Sequence, residues 1–175
     1  MFFSGISILL VSVVLLYPFF AIPSYYANFE EYKGIGGIQY LAQARPQDYS
    51  AIKWINAHIK NQPFILEAQG DSYTDYERIS SNTGPPTVLG WTVHEWLWRG
   101  SYDITAPRIK DVKEMYESKD IETTKDLLKK YNVSYIYIGD LEYEKYPSLN
   151  VEKFESMGKI VFEEKNTKLI KIDLP

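Results

Sequence analysis

The chain has 175 residues, 19 basic and 23 acidic, a net charge of -4 and no cysteine. The acidic balance argues against a nucleic-acid binder, which needs a basic surface. The missing thiols exclude a disulfide scaffold and a thiolate metal site. Fifteen tyrosines and four tryptophans make a chain rich in amphipathic rings, which suit membrane interfaces and sugar-binding faces as well as cores.

No charged residue precedes Glu30, and residues 1–23 are almost wholly apolar. About 20 such residues cross a hydrocarbon core of about 30 Å. A secretory signal carries a basic start and a small-residue cleavage site, and this segment has neither. Residues 1–23 are therefore predicted to be a transmembrane helix, with Pro18 ending or kinking it near Tyr17. Tyr17, Phe19, Phe20, Tyr25 and Tyr26 are expected to form an interfacial belt. The absent basic flank predicts further spans upstream of Met1. Lys33 and Arg45 are the sparse basic flank downstream, which favours a soluble part outside the cytoplasm, at the cell membrane.

Residues 24–46 read as a juxtamembrane tether broken by Gly34, Gly36 and Gly37, with a short element at Ile38–Leu41. Its GIGG stretch lacks the Lys-Ser/Thr of a phosphate loop and the third glycine of a dinucleotide fingerprint, and no cofactor is expected. A soluble domain is predicted over 47–175. Asp48 is placed as the N-cap of a helix over 49–60, with Ile52, Ile55 and Ile59 on its buried stripe and His58 beside it. Strands are expected at Phe64–Ala68 and Thr87–Gly90, helices at 107–117 and 121–131 (the second capped by Asp120), and a strand at Val133–Ile138. A helical stretch over 150–157 and a hairpin of Lys159–Glu163 with Leu169–Asp173 around Lys165-Asn166 complete the order. Asn132-Val133-Ser134 matches a glycosylation sequon at a strand entrance.

This order is α/β. It predicts a small three-layer-like domain, its sheet partly parallel with helices on both faces and a C-terminal β-hairpin at the antiparallel edge. Ligands gather beyond the carboxyl ends of strands in such sheets, where loops 69–84, 90–99 and 139–146 are expected to meet. Those loops and the first strand end bring Glu67, Asp71, Tyr73, Asp75, Tyr76 and Arg78, then Trp91, His94, Glu95, Trp96, Trp98 and Arg99, then Asp140, Glu142 and Tyr143. The candidate ligand-binding residues are Glu67, Tyr73, Arg78, Trp91, His94, Glu95, Trp98 and Arg99. Indole faces stack on sugars, guanidinium forks hold phosphate or carboxylate, and His94 with Glu95 suits hydrogen bonding or proton relay. The opposite outcome is a buried network in which Arg78 or Arg99 pairs with Glu67 or Glu95 and the tryptophans form core. No metal is expected, because His94-Glu95 is not an HExxH pair. No serine sits in a nucleophile elbow.

The strings Glu67-Ala68-Gln69-Gly70-Asp71-Ser72-Tyr73, Arg78-Ile79-Ser80, Thr83–Trp91, His94-Glu95-Trp96, Trp98-Arg99-Gly100 and Tyr131–Glu142, together with Tyr146, resemble the C-terminal region of the Chlor_Arch_YYY membrane proteins of archaea and Chloroflexi. The likeness spans residues 46–146 and centres on GW-x-x-HE-x-x-WRG. Tyr143 stands where that family often has a basic residue. The resemblance implies one final span plus an extracytoplasmic domain of a polytopic, glycosyltransferase-like protein, with the catalytic carboxylate in an upstream membrane part. On that expectation this domain alone is not catalytic. It assists binding of a sugar or a lipid-phosphate acceptor, its partners being the bilayer and the upstream part. The alternative is a non-catalytic structural or assembly module.

Overall fold

A computed structural model describes residues 2–30 and 36–173. The chain divides into two units, one up to Gln39 and one from Tyr40 onward.

The first unit is dominated by helix α1 (Phe2–Tyr25), long and apolar enough to cross a membrane. It rises about 36 Å at roughly 1.5 Å per residue. Two of its serines return their hydroxyls to the helix, Ser7 Oγ donating to the Phe3 carbonyl and Ser12 Oγ to that of Ile8. The helix does not end near Tyr17: it runs on through Pro18 and Pro23. Each proline removes one backbone donor from the helix. A 3₁₀ turn at Ala27–Phe29 follows. Glu31, Lys33 and Gly34, which bear on the tether and its charge, lie outside the described residues.

The second unit is an α/β domain. Its elements are α2 (Gln39–Ala44), α3 (Pro46–His58), β1 (Phe64–Leu66), α4 (Arg78–Thr83), α5 (Thr92–Arg99), α6 (Tyr102–Glu117), α7 (Ile121–Lys130), β2 (Val133–Ile138), α8 (Asp140–Lys145), α9 (Val151–Met157), β3 (Gly158–Glu164) and β4 (Thr167–Ile172). The sheet order is β1-β2-β4-β3. β1 and β2 are parallel, and β4 runs antiparallel to both β2 and β3. The C-terminal hairpin turns at Lys165-Asn166, Lys165 taking a positive φ of 54°.

Strand alternation divides the core. Ile136, Ile138, Ile170 and Ile172 point to one face, where they pack with Val112, Met115 and Tyr116 of α6, Leu128 of α7 and Phe154 and Met157 of α9. Tyr137 pairs with Leu169 in register and both point to the other face, which α3 covers with buried Ala51, Ile52 and Ile55. The result is three layers, α on β on α.

Three expected elements differ. Asp48 is not an N-cap: α3 begins at Pro46, a residue suited to a first helical turn, and Asp48 is buried inside the helix. Thr87–Gly90 is not a strand. Ile65 N–H donates to the Pro86 carbonyl and Gly70 bridges Trp91, but no ladder forms. Helix α6 starts before Pro107 because Ser101 caps it, accepting from the Asp103 N–H. Asp120 does cap α7, accepting from the Glu122 N–H.

Ile136 sits at the centre of the sheet with no exposed surface. Ile136→Ala is expected to cost about 3 kcal/mol through lost burial and a residual cavity, measured as a lower urea midpoint with an unchanged slope.

Candidate functional site

The three segments expected as loops carry helices α4, α5 and α8; they do converge, and they separate into a sealed core and an open cleft. At the core, Arg78 on α4 is 2% exposed. Its Nε pairs with Asp48 Oδ2 of α3, and its Nη2 lies 3.0 Å from Glu142 Oε2 of α8. Glu142 also accepts from the Ala68 N–H and the Gly139 N–H, both at 2.9 Å. Tyr137 Oη donates to Asp48 Oδ1, and the guanidinium sits 5.2 Å from the Tyr137 ring centre. Burial opposes the charge on Arg78, but Glu142 and Asp48 together hold its pKa well above the usual range.

Glu67 follows β1 and is fully buried. Its oxygens accept from the Ile79 N–H at 2.9 Å and the Ser80 N–H at 2.8 Å, so it satisfies orphan donors in the first turn of α4. Burial pushes its carboxyl up to about 7, against the pull of Ser80, Arg78 and Ile79. Glu67 and Arg78 are thus enclosed and paired. Arg78 touches the floor of a hollow of about 380 Å³ beside Tyr76 and Trp91, but its charge is spent on carboxylates.

The open cleft, about 350 Å³, is lined by Glu77, Trp91, His94, Glu95, Trp98 and Arg99. All but Glu77 lie at the entrance to α5 or along it, at the i, i+3, i+4, i+7, i+8 spacing of one helical face. Trp91, His94 and Tyr73 form a ring cluster with centroids 5.1–5.6 Å apart. His94 Nδ1 and Ser72 Oγ pair at 2.6 Å. Among the described residues no carboxylate hydrogen-bonds to His94, so Ser72 orients the ring without completing a relay. Arg99 Nε donates to Glu95 Oε2 at 2.8 Å. Trp98 is 85% exposed and Tyr73 is exposed too, which sets these rings apart from core.

Glu77 enters from the loop before α4 with a positive φ of 69°, a conformation uncommon outside glycine. This aims its carboxylate at α5: Oε2 accepts from the Trp91 N–H at 3.0 Å, while Glu95 Oε1 accepts from the Gly90 N–H at 2.7 Å. Burial raises the Glu77 pKa, opposed by the Trp91 N–H and reinforced by Glu95. A Cβ on Gly90 would lie 2.1 Å from the Glu77 carboxyl carbon, so only glycine admits this arrangement. Two carboxylates thus take the N–H groups of Gly90 and Trp91, the two residues just before α5, and the Thr92 N–H donates to the Gly70 carbonyl.

Among the described residues, no three His, Asp or Glu side chains gather where they could hold a metal ion. Asp140 and Tyr143 lie on α8, whose entering residue Gly139 donates its N–H to Glu142.

No family model and no curated protein sequence matches the chain, so membership of the Chlor_Arch_YYY family is not shown. Among solved structures, the crystal structure of the C-terminal globular domain of an oligosaccharyltransferase from Archaeoglobus fulgidus is similar, at 10% identity over 72% of this chain and 97% of that one, with a TM-score of 0.46. A superposition this loose carries no function from one chain to the other.

Arg78→Ala strands two buried carboxylates and is expected to cost about 3–5 kcal/mol, read from chemical denaturation. Glu67 gives a pH signature. Its folded pKa of about 7 exceeds the ordinary 4.5, so over that interval the folded state holds more protons than the unfolded state. Its contribution to stability is fully present below the lower value and is lost as pH rises to the upper one, on the order of 3 kcal/mol. Glu77 shifts in the same direction. Melting temperature is expected to fall between about pH 5 and pH 7.5, with a shallower slope in Glu67→Gln.

Proposed function

We propose that this chain is a membrane-tethered, extracytoplasmic carbohydrate-binding domain, and that the α5 cleft takes the sugar. The observation that carries the reading is the cleft itself: an open concavity in which the exposed Trp98 indole stands beside ionised and hydrogen-bonding side chains, with the exposed Tyr73 ring against the lining residues Trp91 and His94. Trp98 and Tyr73 offer flat apolar faces for the C–H side of a pyranose. Glu95, Arg99 and His94 offer acceptors and donors for hydroxyls.

The charge pattern narrows the ligand. Arg99 is engaged by Glu95, and Glu77 adds a second carboxylate at the helix entrance. A neutral sugar ring fits this balance better than the phosphate of a lipid-linked acceptor. The span over 1–23 anchors the domain, 24–46 tethers it, and 47–175 faces away from the cytoplasm, a sidedness supported by the sparse basic residues downstream of the helix. The GW-x-x-HE-x-x-WRG resemblance supports placing the domain beside a glycosyltransferase-like membrane part, where it presents a sugar and leaves the chemistry to the upstream segment.

A second role belongs to the sealed network. Glu67 and Arg78 serve as scaffold, because both are buried and fully partnered.

The test is titration of the full chain in nanodiscs with a panel of methyl glycosides and short oligosaccharides, followed by calorimetry. Trp98→Ala is expected to weaken binding about tenfold, the value of one lost stacking contact, with the melting temperature unchanged. Binding of inorganic phosphate with no glycoside binding would overturn the assignment.

A further inference from the structure

Helix α5 has a second exposed side. Val93, Trp96 and Leu97 lie off the cleft face, and Tyr102 and Ile104 extend the patch onto the first turn of α6. Trp96 is 41%, Leu97 66% and Tyr102 49% exposed. Trp96 and Tyr102 meet edge-on at 5.7 Å. These five residues carry no charge, and a contiguous exposed apolar patch of this kind marks an interaction surface.

We propose that this face rests on the lipid bilayer, at the headgroup level, and holds the α5 cleft at the membrane surface. The inference rests on the reading of α1 as an anchor. Two observations choose the bilayer over a protein partner. First, the stretch from Tyr25 to Tyr40 reaches at most about 50 Å when fully extended, so lipid is always within range and at high effective concentration. Second, among the described residues neither Trp96 Nε1 nor Tyr102 Oη makes a hydrogen bond. Rings with an apolar body and an unspent polar tip suit the interface between hydrocarbon and water, where both ends are satisfied. Neighbouring charges along the chain are mixed: Arg99 pairs with Glu95, and Asp103 follows Tyr102. Docking is therefore apolar, needs no anionic lipid and is insensitive to salt.

The distribution of tryptophan makes this measurable. All four tryptophans, Trp54, Trp91, Trp96 and Trp98, lie outside α1, so tryptophan quenching by lipid reports on the domain and not on the span. The full chain is reconstituted in phosphatidylcholine vesicles whose acyl chains are brominated near the headgroup. In a chain retaining only Trp96, emission is expected to fall about twofold against unbrominated vesicles. A chain retaining only Trp54, which stacks on His58 at 4.5 Å, is expected to change little. Leu97→Asp, made in the otherwise unaltered chain, keeps all four tryptophans and is expected to reduce the quenching there. Flotation of the vesicles separates the two readings. A chain that floats with Trp96 unquenched overturns the docking and leaves the anchor standing. A chain that does not float overturns both. Trp96 shielded from aqueous acrylamide yet unquenched by bromolipid means that protein covers the face, which also overturns the docking.

Discussion

One buried cation organises this domain. Arg78 lies between carboxylates from α3 and α8 and against the Tyr137 ring on β2, while Glu67, just beyond β1, satisfies the first turn of Arg78's own helix. Such a cluster is costly to desolvate, and its net contribution to stability is modest. Its value lies in geometry. Asp48, Arg78, Tyr137 and Glu142 fit only when the layers are in one register, so the polar centre specifies how α3, the sheet and α8 sit together. Greasy packing alone sets that relation less sharply.

The same economy of charge shapes the cleft. Glu77 and Glu95 complete the entrance of α5 with backbone partners, and Glu95 in turn engages Arg99. Little uncompensated charge is left to the cleft, whose remaining lining is mostly aromatic. A surface of this kind recognises by shape, stacking and hydroxyl geometry more than by long-range attraction. The helix that carries it turns a different side, Val93, Trp96 and Leu97, to the surroundings, so one short segment serves two surfaces through its 3.6-residue repeat.

Elements with a strong local signal were legible in the sequence. Val133–Ile138 is a strand at its expected bounds, and the cap at Asp120 and the hairpin turn at Lys165-Asn166 fall where local chemistry places them. Elements stabilised by distant partners were not. Helix α4 has no side-chain cap from its preceding residue and borrows Glu67, 12 positions away. Helix α8 follows a glycine and is closed by its own Glu142. Five cleft residues were readable as a crowded aromatic and charged run, but that run was expected as a loop over 90–99 and folds instead as helix α5, which sets the five on one face. Glu77 was not, because its role depends on a left-handed backbone and on the bare Cα of Gly90. Glu67 and Arg78 were recognised as chemically loaded, but only burial reveals that their partners are already in place.

The sheet has a consequence for the order in which the chain acquires its structure. β4 follows the other three strands in sequence, yet it lies between β2 and β3. Until it is synthesised, β2 has an open edge, and the isoleucines beneath the sheet have an incomplete roof. The apolar N-terminal segment emerges from the ribosome long before that. The sheet therefore cannot close until β4, the last of its four strands in sequence, has been synthesised. Such late, non-local closure exposes an unpaired strand during synthesis, so premature termination within the hairpin would leave an edge that invites association with other nascent chains.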